Sequence, residues 1–298
     1  MRKSASCDGP WRLPSLAVTD IATLLKGRGM EVAARTARPR RSHRAYGDLR
    51  PLLHNLPKNA DASVIADVLS ECATPGDTLV VGVTGSVASG KSTLCKAVAD
   101  NLRSTLSVEV VSTDGFLLPN EILARSGLLT RKGFPETYDT ALLSGALQRV
   151  RFGPVNIPGY SHTTYDRARS LDRVIHRPDI VIVEGLGLSP TGNQRDPSAL
   201  LDLLVYVDAS EADLEAWFVG RFMKLWREAE TNSSSFYARF RSMSEHDAEA
   251  FARQVWADIN LPNLREHIAP AKRQADLLVS KSADHVMQLS FPAFRGDA

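Results

Sequence analysis

The sequence predicts an α/β fold with a doubly wound, mostly parallel sheet, and two observations support this prediction. Apolar, β-rich runs alternate with helical patterns through the last three-quarters of the chain, an order that places helices on both faces of a parallel sheet. A glycine-rich segment follows the first run and opens a helical pattern. The predicted strands are Leu79–Thr84, Val108–Thr113, Ile180–Glu184, Leu203–Asp208 and Leu277–Ser280.

Ahead of this core, residues 1–75 are predicted to form a helical N-terminal extension, and residues 76–298 the core domain. Helical patterns are expected at Thr19–Lys26, Leu49–Leu56 and Ala62–Leu69. An arginine-rich stretch, 35–44, is interpreted as a solvated linker, because no aromatic residues that could stack on bases interleave with it. We therefore expect no nucleic-acid partner.

Composition narrows the class of protein further. The 298 residues are 43% hydrophobic and 23% charged, with a net charge of +2, as in an ordinary globular protein. No apolar stretch is long enough to span a membrane, so we expect no membrane partner. The three cysteines form no CxxC pair, which favours reduced thiols and a cytoplasmic location.

The segment Gly85–Ser92 reads G-x-x-x-x-G-K-S, the pattern of the phosphate-binding loop of nucleoside-triphosphate enzymes. The glycines let the backbone curl so that N–H groups point at a phosphate, and the following helix N-terminus faces the same anion. Lys91 adds a positive charge, and Ser92 offers a hydroxyl ligand to Mg²⁺. The motif predicts a P-loop NTPase or kinase fold that binds ATP or GTP. The predicted nucleotide-binding residues are Gly85, Ser86, Val87, Ala88, Ser89, Gly90, Lys91, Ser92 and Thr93.

Three predicted strands end in a carboxylate: Asp114, Glu184 and Asp208. Ligands of parallel sheets bind at the carboxyl ends of the strands, so these side chains are candidates for chemistry. Asp114 lies where a base for an acceptor hydroxyl is expected, and Glu184 where an acid associated with Mg²⁺ is expected. The Asp208–Ser210 segment is interpreted as a helix N-cap instead.

Longer segments carry a more specific signal. In chain order they are 112–120 (STDGFLLPN), 131–139 (RKGFPETYD), 158–166 (PGYSHTTYD), 178–186 (PDIVIVEGL), 206–209 (YVDA), 256–260 (WADIN) and 281–285 (KSADH). In this order and at these spacings they resemble the bacterial type I pantothenate kinases. The resemblance runs from about residue 79 to residue 286.

That resemblance implies an enzyme that uses ATP and Mg²⁺ to phosphorylate the primary hydroxyl of pantothenate, the first step towards coenzyme A. It also implies a homodimer and feedback inhibition by coenzyme A. The implied catalytic residues are Lys91, Asp114 and Arg221, with Ser92 and Glu184 at the metal. The implied pantothenate pocket consists of Tyr160, His162, Tyr165, Phe218 and Asn260. Residues 217–245 would form a helical, partly basic lid.

Several positions depart from the family pattern. At Phe218 the family usually has a tyrosine, so one hydroxyl of the acceptor pocket is missing. Other departures are Lys96 for an arginine, Gly187 and Gly220 for asparagines, and Leu225 for an aromatic residue. These changes leave two alternatives open. One is a kinase of another small alcohol, such as a nucleoside or a sugar, and the other is a non-catalytic ATP-binding paralogue.

Overall fold

The sheet and its covering helices are described for residues 60–188 and 196–290 in a computed structural model of the chain. These residues belong to one compact unit. The helices predicted near residues 20 and 50 and the arginine-rich stretch lie outside the described residues. The predicted boundary between residues 75 and 76 stays a prediction.

The strands of the described residues are β1 Leu79–Gly85, β2 Val108–Ser112, β3 Pro154–Ile157, β4 Tyr160–Ser161, β5 Asp166–Arg167, β6 Arg173–His176, β7 Ile180–Glu184, β8 Leu203–Asp208, β9 Leu277–Lys281 and β10 Met287–Ser290. Six of them form the central sheet, in the order β10-β9-β8-β1-β7-β2. Neighbouring strands of this sheet run parallel except β10, which pairs with β9 antiparallel. Two antiparallel ribbons, β3 with β6 and β4 with β5, lie outside the sheet.

All five predicted strands are confirmed, and so is the mostly parallel sheet. The continuous apolar run of β7 is buried on both faces, because β7 lies between β1 and β2 and is covered by helices on either side. The register places Val83 beside Glu184 and Gly85 beside Val207. The carboxyl ends of β1, β7 and β8 therefore lie at one edge of the sheet.

Helices of the described residues are α1 Ala62–Cys72, α2 Lys91–Leu102, α3 Asn120–Arg125, α4 Thr140–Arg149, α5 Glu211–Glu228, α6 Glu245–Val255 and α7 Leu261–Asn263. Two π-helical segments, Trp256–Asn260 and Leu264–Ile268, flank α7. Short 3₁₀ segments are Thr113–Phe116, Leu129–Arg131, Pro135–Thr137, Arg169–Leu171, Pro197–Leu200, Phe236–Phe240 and Ala269–Gln274. In the segment predicted to cap α5, the capping side chain is Ser210, whose oxygen accepts from the Asp213 N–H.

Helices cover both faces of the sheet, as a doubly wound fold requires. On one face α1 and α2 pack against it, and Ile65 of α1 and Leu94 of α2 share a core with Ile182. On the other face α4 and the 256–268 segment form a second core that contains Val181 and Trp256. α1, which falls within the predicted extension, thus shares the core of the sheet.

The segment predicted as a lid has a small apolar core of its own. α5, the Phe236–Phe240 turn and α6 bury Phe222, Trp226 and Phe240 together. The Trp226 Nε1–H donates to the Phe240 carbonyl at 2.8 Å, which joins the helix to the turn. Among the described residues, no helix is both long and apolar enough to cross a membrane.

Candidate active site

The loop between β1 and α2 has the backbone geometry that the G-x-x-x-x-G-K-S motif predicts. Gly85 has φ +143° and Gly90 has φ +84°, backbone conformations that residues with a side chain rarely adopt. Ala88 also has a left-handed backbone, with φ 62°. A Cβ at Gly85 would lie 2.3 Å from the Val207 carbonyl oxygen, so β8 leaves room only for glycine. The loop therefore curls around the N-terminus of α2.

Buried hydroxyl groups in and next to this loop are available to bind a ligand. Among the described residues, the buried hydroxyls of Thr84, Ser86 and Ser89 have no hydrogen-bond partner in the protein. Lys91 is only 7% exposed, and its Nζ donates to the Ser86 carbonyl at 2.6 Å. Buried donors without a partner cost free energy, so the loop is suited to receive an anion such as a polyphosphate.

Glu184 joins the same site from the end of β7. Burial raises the pKa of its carboxyl group, while the Lys91 ammonium and hydrogen bonds from the Ser92 and Ser112 hydroxyls lower it in part. Burial in turn lowers the pKa of Lys91, and the carboxylates of Glu184 and Asp114 counteract that shift. The Ser92 hydroxyl and the Glu184 carboxylate are hard oxygen donors side by side, the kind of pair that Mg²⁺ uses together with phosphate oxygens.

Asp114 is half-buried in the 3₁₀ turn that follows β2. Its N–H donates to the Ser112 hydroxyl at 3.3 Å, which fixes the turn. A Cβ at Gly115 would lie 2.0 Å from the Pro158 carbonyl oxygen, so the turn is pressed against the loop that leads into β4. The Asp114 carboxylate counteracts the lowered pKa of Lys91 and adds to the raised pKa of Glu184, Tyr160 and Tyr165. Its charge therefore acts on both the nucleotide loop and the tyrosines.

The ribbon β4–β5 brings three predicted pocket residues together. The Tyr160 ring meets the His162 ring at 5.1 Å and the Tyr165 ring at 6.1 Å, both edge to face. Tyr165 also packs on Phe236 of the lid at 4.5 Å. Burial raises the pKa of both phenols, so they stay protonated and can donate hydrogen bonds. His162 is exposed to solvent.

Helices supply the remaining predicted residues. The Phe218 ring of α5 lies 5.9 Å from the Trp256 ring. Asn260 ends the π-helical turn that Trp256 begins, and its Nδ2–H contacts the Val255 carbonyl at 3.5 Å. Arg221 is exposed on α5, and its charge acts on Lys91 and Tyr165. Phe218 thus packs on the segment that ends at Asn260, whereas the Arg221 charge acts on both the loop and the tyrosines.

Two further groups near the site were not singled out residue by residue from the sequence. Lys281 donates to the Ser89 carbonyl at 3.0 Å and lies 5.0 Å above the Trp217 ring, which packs on the His285 ring at 4.5 Å. Lys132 lies 4.6 Å above the Tyr165 ring. In the sequence, only their positions inside the KSADH and RKGFPETYD segments indicate these two lysines, because a single lysine forms no pattern of its own.

The departures from the family pattern lie in different surroundings. A Cβ at Gly187 would lie 3.1 Å from the Tyr138 ring, whereas one at Gly220 would meet nothing within 4 Å. Lys96 is exposed and pairs with Asp100 at 2.8 Å, one turn further along α2. None of these three departures removes a side chain from the contacts between the loop, Asp114 and the tyrosines.

Comparisons with known proteins show which family the chain resembles. Residues 80–287 match the family model of the phosphoribulokinase / uridine kinase family. The chain is 44% identical over 234 residues to a pantothenate kinase of Leifsonia xyli subsp. xyli, which is 75% of this chain and 72% of that protein. It is 39% identical over 221 residues to a pantothenate kinase of Mesorhizobium japonicum, 70% of this chain and 69% of that protein.

Solved structures extend the agreement to the fold. A candidate fructose transport system kinase from Silicibacter sp. TM1040 superposes with a TM-score of 0.57 at 25% identity, over 69% of this chain and 93% of that one. The D-glycerate 3-kinase of Cryptococcus neoformans var. grubii superposes with a TM-score of 0.50 at 16% identity, over 84% of this chain and 97% of that one. Both are similar to this chain in fold.

Proposed function

The chain belongs to the pantothenate kinases within the phosphoribulokinase / uridine kinase family, and we propose that it transfers the γ-phosphoryl group of ATP to the primary hydroxyl of pantothenate. The observation that supports the proposal is the charge of Asp114, which acts both on Lys91 of the phosphate-binding loop and on the phenols of Tyr160 and Tyr165. Transfer to an alcohol requires a base that serves both a phosphate site and a hydrogen-bonding pocket.

ATP with Mg²⁺ is the proposed co-substrate pair. The unpartnered hydroxyls of Ser86 and Ser89 and the backbone of the loop would bind the phosphates, with Lys91 beside them. Ser92 and Glu184 would hold Mg²⁺, and the ion neutralises charge on the phosphate oxygens when bound. Lys281, Trp217 and His285 lie next to the same loop and would adjoin the nucleotide.

The chemical step follows from these positions. Asp114 accepts the proton of the acceptor hydroxyl as its oxygen forms a bond to the γ-phosphorus. The bond from that phosphorus to the bridging oxygen breaks, and ADP leaves with the electron pair. Lys91 and Arg221 neutralise the charge that spreads over the transferred group, and such pre-placed charges supply most of the rate in phosphoryl transfer.

The pocket suits pantothenate in its chemistry. Pantothenate carries a carboxylate, two hydroxyls and an amide, and the phenols of Tyr160 and Tyr165 remain protonated donors because burial raises their pKa. His162 and Asn260 add an imidazole and an amide. Phe218 contributes only apolar contact, and this is the one observation that favours a second acceptor alcohol without a hydrogen-bonding group at that place.

Partners and location remain proposals. We propose a cytoplasmic homodimer that coenzyme A inhibits. Lys96, which replaces a family arginine, is exposed and paired with Asp100. It would therefore contact coenzyme A phosphates as a single point charge rather than through the two-pronged contact of a guanidinium.

A competition assay tests the acceptor. The full chain is incubated with ATP, Mg²⁺ and equal concentrations of pantothenate, a nucleoside and a sugar, and product masses are recorded. The proposal expects phosphate on pantothenate, and Asp114→Asn protein serves as the control for contaminating kinases. Phosphate on the nucleoside or the sugar instead would favour the second acceptor and overturn this one.

A further inference from the structure

Lys132 is a half-buried lysine beside the tyrosines of the acceptor pocket. Its positive charge has no part in the proposed chemical step. Its Nζ donates to the Asn120 Oδ1 at 2.7 Å and to the Tyr165 carbonyl at 2.5 Å. The same nitrogen lies 5.0 Å from the centroid of the Tyr160 ring and 4.6 Å from that of Tyr165. One ammonium thus contacts both phenol-bearing residues, through a hydrogen bond and through their ring faces.

The RKGFPETYD segment is built to hold this lysine in place. Gly133, directly after it, has φ +98°. The Gly133 N–H donates to the Thr137 hydroxyl at 3.0 Å, and its carbonyl accepts from the Asn263 Nδ2–H at 3.0 Å. Phe134 is buried at 2% exposure. The two residues that follow Lys132 are therefore anchored, and they fix the backbone from which its side chain extends.

The residue that Lys132 binds is itself in a strained conformation. Tyr165 has φ 56°, a left-handed backbone that costs free energy in a residue with a Cβ. Its carbonyl accepts two hydrogen bonds, from Lys132 and from the Asn120 Nδ2–H at 3.0 Å. Asn120 also donates its backbone N–H to Asp166 at 3.0 Å. Lys132 and Asn120 together form a clamp on the β4–β5 ribbon.

We propose that Lys132 is a positioning residue for the acceptor. It holds the Tyr165 backbone by a hydrogen bond and contacts the ring faces of the two phenols that bind the acceptor. The inference rests on the proposed function, because the proposed function assigns acceptor binding to Tyr160 and Tyr165. Without the ammonium, the ribbon loses a charged hydrogen bond and two ring contacts, so the acceptor binds more weakly. The phosphate-binding loop shares none of these contacts and keeps its affinity for ATP.

The clamp depends on pH because Lys132 titrates near neutrality. Burial lowers its pKa to about 8, against the opposing effect of the Asp166 and Asp114 carboxylates. The phenols that face it stay neutral in this range, since burial raises the pKa of each, and Asn120 carries no charge. Below pH 8 the ammonium form is present; above it the neutral amine loses the attraction to both rings.

Steady-state kinetics of the full chain test the inference with Lys132→Met, which keeps the stem and removes the charge. At pH 7 we expect the KM for pantothenate to rise about tenfold, the loss expected for a hydrogen bond from a charged group, with the KM for ATP unchanged. Lys272→Met, at an exposed lysine that pairs with Asp208, is the matched control and should leave both constants unchanged. An unchanged pantothenate KM in Lys132→Met would overturn the clamp.

The pH dependence provides a second, independent measurement that a general loss of stability would not produce. In the unaltered protein the KM for pantothenate should rise as the pH increases through about 8, and in Lys132→Met it should be flat. Lys132→Arg stays charged and should also be flat. The unaltered protein gives this profile even if a variant fails to fold, and a flat profile there overturns the inference. If pantothenate is not phosphorylated at all, the proposed function fails instead, so the two failures are distinct.

Discussion

The two halves of the candidate site are built in different ways. The nucleotide half, which is the 85–92 loop with Glu184, lies on adjacent strands of the central sheet and is backed by its core. The acceptor half, which is the Tyr160–Arg167 ribbon with Phe218 and Asn260, is assembled from a small ribbon, the lid helix and a π-helical turn. With the proposed roles of these residues, phosphate binding would depend on local backbone geometry, whereas acceptor binding would depend on contacts between distant segments.

If the halves are separate, substitutions should divide into two kinds. Those in the nucleotide half should alter ATP binding, and those in the acceptor half should alter the KM for pantothenate. The Asp114 charge acts on both halves, and as the proposed base it should affect only the chemical step. The following changes test this division.

Asp114→Asn should have the largest effect on turnover. The amide keeps the shape of the side chain but cannot accept the proton, so kcat should fall about 10³-fold, within the usual range for a lost general base. ATP binding, measured by titration calorimetry, should stay within about twofold. Full turnover in this variant would exclude Asp114 as the base.

Lys91→Met should affect both binding and rate on the nucleotide side. Loss of a buried ammonium that faces the phosphates should lower kcat about 10²-fold and weaken ATP binding. Lys272→Met, at an exposed lysine that pairs with Asp208, is the control for the loss of a lysine charge. Equal ATP affinity in the Lys91 and Lys272 variants would contradict the assignment of the loop.

Gly115→Ala should disturb the junction of the two halves. The new methyl group would lie 2.0 Å from the Pro158 carbonyl oxygen, so the turn and the ribbon must separate. We expect a loss of about 2 kcal/mol in the free energy of unfolding, together with a higher KM for pantothenate. Gly145→Ala is the matched control, since nothing lies within 4 Å of that position in α4, and it should not destabilise the protein.

Phe218→Tyr should have the smallest effect, and it acts on the acceptor half alone. A hydroxyl that finds a partner on pantothenate contributes on the order of 1 kcal/mol, so the KM for pantothenate should fall about fivefold. Phe152→Tyr, at a ring that is 84% exposed, should change nothing. A rise in KM in the Phe218 variant would show that this wall is apolar by requirement, as another acceptor would need.

The same contrast explains what could be predicted from the sequence. The five strands and the phosphate-binding loop follow from short patterns, because hydrophobic runs and glycine spacing act locally. The clamp joins Asn120, Lys132 and Tyr165 from three segments, and no local pattern predicts which of them meet. The π-helical turn at Trp256–Asn260 was not predicted either, because its residues fit an ordinary helical pattern.

The acceptor residues were predicted by resemblance rather than by pattern. The structure brings Tyr160, His162 and Tyr165 into one ring cluster, as that prediction requires. Their roles as ligands of pantothenate stay predictions, as do those of Phe218, Asn260 and Arg221. A histidine or tyrosine in a loop gives no sequence signal of its partners, because those partners come from other segments.

The stoichiometry of ADP and phosphopantothenate, formed by the unaltered protein as the pantothenate concentration is varied, shows whether the two halves work together. We expect the rate to saturate with pantothenate and one phosphopantothenate to form for each ADP. ADP release that does not depend on pantothenate, or that exceeds the phosphopantothenate formed, would contradict this expectation, because the nucleotide half would then be working without the proposed acceptor half.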